Sequence, residues 1–177
     1  MIAICNNEGA CGIAATGASL ARGDLALDAI EAGIRLVEAS EEVRTVGRGG
    51  WPNLLGEVEL DASVMDGTTL RTGSVGSLTG YLHPVSIARQ VLERLPHELL
   101  VGEGARRFAA EIGAEAGELL MPHARSAWQR WLETEVSAAE QARWPDVPMA
   151  ELCQQAIDPE TGRDTTVFLA QDVEGHI

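Results

Sequence analysis

Asp164 and Thr165 are the adjacent pair whose types and setting suit nucleophilic chemistry. Thr165 opens a run of branched and apolar residues ending at Gln171, which reads as a β-strand. The segment before it, Pro159-Glu-Thr-Gly-Arg-Asp164, is polar and turn-rich, with the character of a linker. A threonine at such a junction can become a chain terminus. Cutting the Asp164–Thr165 bond would leave Thr165 with a free α-amine beside its own hydroxyl. The amine can then take the hydroxyl proton, so one residue supplies both nucleophile and base. By itself the dipeptide decides nothing, because a strand that begins with Thr is ordinary β-propensity.

The other candidates have plainer readings. Gly47-Arg-Gly-Gly50 lacks the lysine of a phosphate loop, and a strand rather than a helix follows it. It reads as a tight structural turn from which Arg48 could reach a pocket. Asp61 and Asp66 lie five apart on a strand and its turn, hence on opposite faces. They read as a hydrogen-bonded structural aspartate and a turn former. His83, His97, His123 and His176 show no helical pairing, and Cys5, Cys11 and Cys153 contain no C-x-x-C. Neither set suggests a metal site, and the odd cysteine count argues against a disulfide framework. No serine occupies a G-x-S-x-G elbow. Trp51, Trp128, Trp131 and Trp144 read as core and helix-docking residues.

The elements that must position Thr165 follow from periodicity. Ile2 to Cys5 reads as a strand, ended by Asn6-Asn7-Glu8-Gly9. Gly12 to Arg22 reads as a small-residue helix stopped by Gly23, with Asp24 placed to cap the next one. Leu27, Ile30, Ile34 and Val37 give Asp24 to Ser40 a buried helical stripe, and Ala29, Ala32 and Gly33 allow close approach of another layer. Glu57 to Met65 alternates as a strand with Val58, Leu60, Ala62 and Val64 on one face. Asp66-Gly67 signals a hairpin, with Leu70 to Val75 returning. Pro84 opens a helix, Glu98 to Val101 is a short strand, and Gly104 to Ile112 is a short helix. One long helix is expected from Pro122 to about Trp144, and a short one from Met149 to Ile157. After Gln171 a turn leads to His176-Ile177, read as the start of a partner strand. A hairpin broken off there would leave an unpaired edge, so the 177 residues read as the front part of a longer protein. The pattern implies an α+β fold, an antiparallel sheet with helices on its faces.

Length and composition set outer bounds. The 177 residues suffice for one domain with a real core, and 45% are apolar. The formal charge is −14, and all 13 basic residues are arginine. Such an acid excess repels phosphate backbones and anionic membranes, so nucleic acid and membrane partners are not expected. The N-terminus shows neither signal peptide nor spanning segment, which makes a cytoplasmic location the default.

Several blocks then agree in order and spacing. Val46-Gly-Arg-Gly-Gly-Trp-Pro-Asn-Leu-Leu-Gly-Glu-Val-Glu-Leu-Asp-Ala-Ser-Val-Met-Asp-Gly67 resembles the glycosylasparaginases, the N4-(β-N-acetylglucosaminyl)-L-asparaginases. These belong with the plant-type asparaginases and isoaspartyl peptidases among the N-terminal nucleophile (Ntn) hydrolases. Ala26-Leu-Asp-Ala-Ile-Glu-Ala-Gly33, His83-Pro-Val-Ser-Ile-Ala-Arg89 and Leu99-Leu-Val-Gly-Glu-Gly104 match as well. Gly162-Arg-Asp-Thr165 falls where that family cuts itself.

The resemblance implies a four-layer αββα sandwich, here its N-terminal portion with an incomplete sheet. Residues 1–177 would be one truncated Ntn-hydrolase domain, with 1–164 as the α-chain portion and 165–177 as the start of the β-chain. It implies Thr165 as nucleophile, Asp164 as the residue that assists the cut, and no metal or organic cofactor. The substrate would be a small asparagine derivative, and the assembly a homodimer of αβ units. The alternative within the family is an isoaspartyl peptidase/L-asparaginase. The alternative of another class is a non-catalytic remnant that serves as a binding or assembly partner. Two departures bear on activity. The family's tryptophan near the N-terminus has no match in Ile2 to Gly9. The substrate-binding and oxyanion residues are expected beyond Ile177, so the chain alone should be inactive or nearly so.

Overall fold

The computed structural model describes residues 1–153 and 165–177. Its architecture is α+β, with two small sheets rather than one. The first sheet pairs β1 (Ile2–Cys5) with β5 (Phe168–Gln171), antiparallel, with Ala3 opposite Ala170 and Cys5 opposite Phe168. The last strand thus opens at Phe168 rather than at Thr165, and it finds its partner at the N-terminus. His176 and Ile177 form no strand; instead Ile177 reaches the other sheet, its carbonyl accepting from Gly67 N at 2.6 Å.

The second sheet has the order β2-β3-β4. Strands β2 (Leu60–Asp66) and β3 (Arg71–Leu78) form the expected hairpin. Asp66 builds its turn: Oδ1 accepts from Thr68 N at 2.9 Å, and Oδ2 from the Thr69 hydroxyl at 2.7 Å. Strand β4 (Leu99–Val101) runs parallel to β3, so the sheet is mixed rather than antiparallel. A parallel neighbour requires a crossover, and the helix α3 (Pro84–Arg94) supplies it. Behind the sheet, α3 and α4 (Gly102–Glu111) bury the largest core, with Val75, Leu78, Ile87 and Val91 all at 2% exposure or less.

Helices α1 (Ile13–Ala21) and α2 (Ala26–Ala39) cover one face of the β1–β5 pair. Their contact is set by small residues. A Cβ on Gly12 would lie 2.2 Å from the Gly33 carbonyl oxygen, and one on Gly9 2.6 Å from the Phe168 ring. Asp24 does not cap α2; it accepts from the Ser19 hydroxyl at 2.6 Å and Arg22 at 2.8 Å, while Leu25 holds the N-cap position. The first amide of the helix, Ala26 N, donates instead to Asp172 Oδ2, 3.4 Å away beyond the end of β5. Arg89 ties α3 to α2 through Asp28 at 2.5 Å and Glu31 at 2.7 Å.

The expected long helix after Pro122 is two helices. α5 (Pro122–Thr134) stops, and α6 (Ala138–Gln141) begins behind Ser137. The reason is local: Ser137 and Glu140 form a reciprocal capping box, which satisfies the amides of a new helix start. Trp131 is buried with Leu54, Val136 and Leu152, and meets Trp144 edge to face with ring centroids 6.4 Å apart. α7 (Met149–Cys153) is the described part of the last expected helix; its continuation to Ile157 lies outside the described residues. No described helix is long and apolar enough to cross a membrane.

Candidate functional site

Thr165 is exposed at the wall of a cavity of about 1150 Å³. The cavity lies between α2, the β2 face and the start of β5, with the loop around Arg44 to Trp51 closing part of it. Leu27, Ile30 and Ile34 line it and are only half-buried. The apolar stripe on α2 is therefore divided. Ala29, Gly33 and Val37 are buried against neighbouring layers, whereas Leu27, Ile30 and Ile34 face the cavity. Asp164 lies outside the described residues.

What places Thr165 is a clamp from the end of β1. Asn6 Nδ2 donates to the Thr165 carbonyl at 2.7 Å. Asn6 Oδ1 accepts from Val167 N at 3.0 Å and from the Thr166 hydroxyl at 3.3 Å. The Asn6 backbone amide adds a bond to the Val167 carbonyl at 3.2 Å. At the far end of β5, Asp172 Oδ1 accepts from Glu174 N and His176 N, each at 3.0 Å, while Oδ2 meets His176 Nδ1 at 3.1 Å. Burial would raise the Asp172 carboxyl, but the bonds from His176, Ala26 and Glu174 outweigh it and hold the group below its ordinary value. β5 is thus pinned by polar groups at both ends. Sequence reading took Asn6 only as the residue that ends a strand, and no spacing rule marks its partner 159 positions away.

A second group at the cavity wall is Glu38. It is 4% exposed, and its Oε1 accepts from Val85 N, near the start of α3, at 3.0 Å. Its Oε2 lies 3.7 Å from His83 Nδ1, and His83 Nε2 lies 3.5 Å from Glu115. Burial pushes the Glu38 carboxyl up to about 7, against the opposing pull of His83 and the Val85 amide. The sequence did carry a signal for it. Glu38 sits four residues beyond Ile34, on the continuation of the apolar stripe, where a carboxylate is out of place.

The remaining candidates take structural roles. The glycine run forms a short 3-10 turn, Gly47–Gly49, packed on the end of α2. Gly47 has φ +63°, and a Cβ there would lie 2.4 Å from the Glu38 carbonyl oxygen, so only glycine fits. Arg48 pairs with Glu41 at 3.2 Å, and Arg44, not Arg48, lines the cavity. Asp61 accepts from Ser77 N at 2.8 Å, a structural bond beside the register shift in the hairpin. His123 meets the Gly49 carbonyl at 3.3 Å, and His176 meets Asp172 at 3.1 Å. Among the described residues no cluster of three potential ligands could hold a metal ion. Cys5 and Cys11 are free thiols. Trp51 joins the cavity wall, whereas Trp128 donates to the Leu54 carbonyl at 3.0 Å.

Nearly the whole chain resembles known proteins. Residues 6–177 match the family model described as Asparaginase. An N(4)-(β-N-acetylglucosaminyl)-L-asparaginase of Elizabethkingia miricola is 44% identical over 115 residues, which is 65% of this chain and 34% of that protein. The Rattus norvegicus protein of the same name is 40% identical over 114 residues, 64% of this chain and 33% of the relative. A plant-type L-asparaginase of Pyrococcus abyssi is 36% identical over 149 residues, 84% of this chain and 47% of its own length. The chain thus spans between a third and a half of these relatives. With nearly its whole length inside the matched region, the chain belongs to the asparaginase family.

Proposed function

We propose that this chain is the front portion of a self-cleaving N-terminal threonine amidohydrolase acting on N4-substituted asparagine. Residues 1–164 would form the α-chain part and 165–177 the start of the β-chain, in an αββα sandwich whose remaining strands follow. The observation that carries the reading is the position of Thr165, at the wall of a large cavity and three residues ahead of β5, a strand pinned at both ends. Uncovered apolar faces support the incomplete sandwich. Ile4 and Leu169 on one sheet, and Leu99 and Val101 on the other, are each at least 55% exposed, and all but Ile4 line the cavity beside Thr165, part of which the remaining strands would fill. The names of the bacterial and rat relatives favour a glycosylated asparagine as substrate. The longer match to the Pyrococcus protein, named a plant-type L-asparaginase, supports L-asparaginase activity as the second reading.

The chemistry balances without a cofactor. In the precursor, Thr165 Oγ attacks the carbonyl carbon of Asp164, the Asp164 carboxylate assisting. The C–N bond breaks, and an ester takes its place. Water then hydrolyses that ester, leaving a new carboxylate on Asp164 and a free amine on Thr165. In turnover, the same oxygen attacks the side-chain amide carbon of the substrate, and its proton passes to the α-amine. The leaving amine takes that proton as it departs. Water finally releases aspartate from the β-aspartyl ester. Assembly of two αβ units as a dimer belongs to the same proposal.

The decisive test is the intact mass, under denaturing conditions, of the complete product of the natural gene. Two pieces meeting at Asp164 and Thr165 are expected, and Thr165→Ala should give one piece and no turnover. A single uncut wild-type chain would favour a non-catalytic remnant that binds or assembles with a partner. Full activity in Thr165→Ala would sink the nucleophile assignment.

A further inference from the structure

We propose that Asn6 is a positioning residue for Thr165: its carboxamide fixes the Thr165 carbonyl, and so the direction in which that threonine presents its reactive groups. The inference rests on the reading of Thr165 as nucleophile.

The two ends of the Asn6 carboxamide do different work. Oδ1 accepts from Val167 N at 3.0 Å and from the Thr166 hydroxyl at 3.3 Å. Those bonds dock the strand, together with the backbone bond from Asn6 N to the Val167 carbonyl at 3.2 Å. Nδ2 donates to the Thr165 carbonyl at 2.7 Å. That bond acts on the residue proposed to react. It restricts rotation about the Cα–C bond of Thr165, and so sets where the Cα substituents, the amine and the side chain, point relative to the cavity.

The demand on this bond grows when the chain is cut. Before cleavage Thr165 is tethered covalently on both sides. Afterwards its amino side is a terminus, and the carbonyl side carries more of the positioning. Reacting groups must be held near attack geometry, and a displacement of about 1 Å can cost about 10²-fold in rate. The residue offering the clamp is itself well placed to be rigid. Asn6 directly follows β1, whose pairing with β5 runs through four residue pairs from Ile2–Gln171 to Cys5–Phe168.

The Asn6→Asp variant separates positioning from docking. Its side chain is the same size and keeps an acceptor for Val167 N and Thr166. It replaces the donor with a carboxylate oxygen facing the Thr165 carbonyl, which repels rather than holds. The experiment uses the complete product of the natural gene, refolded from denaturant. Self-cleavage is followed by intact mass, and turnover of a β-aspartyl anilide is resolved into kcat and KM. Thermal melting reports the fold.

We expect Asn6→Asp to melt as the wild type does, yet to cut itself at least about 10-fold more slowly, with kcat of any cleaved enzyme down about 10- to 100-fold and KM changed by less than about 3-fold. Asn6→Ala should show the same kinetic loss with a lower melting point. Wild-type cleavage and kcat in Asn6→Asp would reduce Asn6 to strand docking and overturn the inference alone. Loss of the fold in Asn6→Asp would likewise make the residue structural and overturn it. A wild-type chain that is never cut at Asp164–Thr165 would remove the nucleophile reading, and this inference with it.

Discussion

The two strand layers of this molecule differ in their balance of large and small residues, although Gly73 in the hairpin also meets α3 closely and the other layer buries Leu20, Val37 and Phe168. The hairpin β2–β3, backed by α3 and α4, rests on large apolar side chains: Leu78, Val85, Ile87 and Val91 are all buried to 1% exposure or less. The pair β1–β5, backed by α1 and α2, rests on small residues in close approach, Gly9, Gly12, Gly33, Ala26, Ala29 and Ala170. It is finished by polar clamps at Asn6 and Asp172. Large side chains bury more apolar area and contribute more stability per residue. Small ones let backbone meet backbone, which fixes main-chain positions closely at a lower return in burial. The candidate nucleophile hangs from the second kind of layer. A reacting group carried by the main chain gains most from such a setting.

The largest effect should come from emptying the first layer. Ile87 is 1% exposed in the main core, and Ile87→Ala should destabilise by about 4 kcal/mol, within the range for a truncated buried aliphatic side chain. Denaturant unfolding measures it, as a fall in midpoint at unchanged slope. A loss under about 1 kcal/mol would mean that the core can collapse around the gap, and the contrast between layers would weaken.

In the second layer the sensitive change runs the other way, toward added bulk. Gly12→Ala places a methyl 2.2 Å from the Gly33 carbonyl oxygen, and a backbone atom cannot rotate aside. Relief requires α1 to move off α2, at a cost of about 3 kcal/mol, the upper end for overpacking. A near-neutral Gly12→Ala, again by denaturant unfolding, would show that α1 slides freely and that the close approach is incidental.

The same contrast explains what could be read before the fold was known. Periodicity located α2, the hairpin, α3 and α4, because those segments bury alternating or 3.6-spaced apolar residues, while apolar and small-residue composition marked β1 and α1. It started the last strand at Thr165, whereas β5 begins at Phe168 and Thr165 to Val167 form the segment that Asn6 clamps. It missed the partner of that strand, since nothing local links Phe168 to Cys5. It gave α2 a cap in Asp24, the nearest acid, when the acceptor is Asp172 from across the chain. It ran α5 through Ser137 because a capping box inside a polar stretch looks like more helix. Asn6 was legible only as a turn residue, because its role depends on a neighbour brought up by folding. Glu38 was the exception: a carboxylate on an apolar stripe announces a buried charge, and it passed unmarked.

Glu38 also tests the boundary between the two layers, because it grows from α2 and holds the start of α3. Burial raises its carboxyl from an ordinary 4.5 to about 7. Between those values the folded chain holds a proton that the unfolded chain has released. The contribution is therefore intact below pH 4.5 and is lost as pH rises toward 7. By pH 6 the loss should reach about 2 kcal/mol, since each unit of difference is worth about 1.4 kcal/mol. Glu38→Gln keeps an acceptor for Val85 N and cannot ionise, so it should lose this slope. The surface carboxylates held low by hydrogen bonds, Glu59 and Asp66 among them, impose the opposite trend, mostly below this range and equally in both proteins. The readout is thus the difference in unfolding free energy between wild type and Glu38→Gln across pH 4.5 to 7. A difference that widens in favour of the variant as pH rises places a buried, proton-holding carboxyl at the junction of the layers. A difference that stays flat would mean that water or His83 solvates the ionised group, and that the cavity wall near α2 is more polar than its lining of Leu27, Ile30 and Ile34 implies.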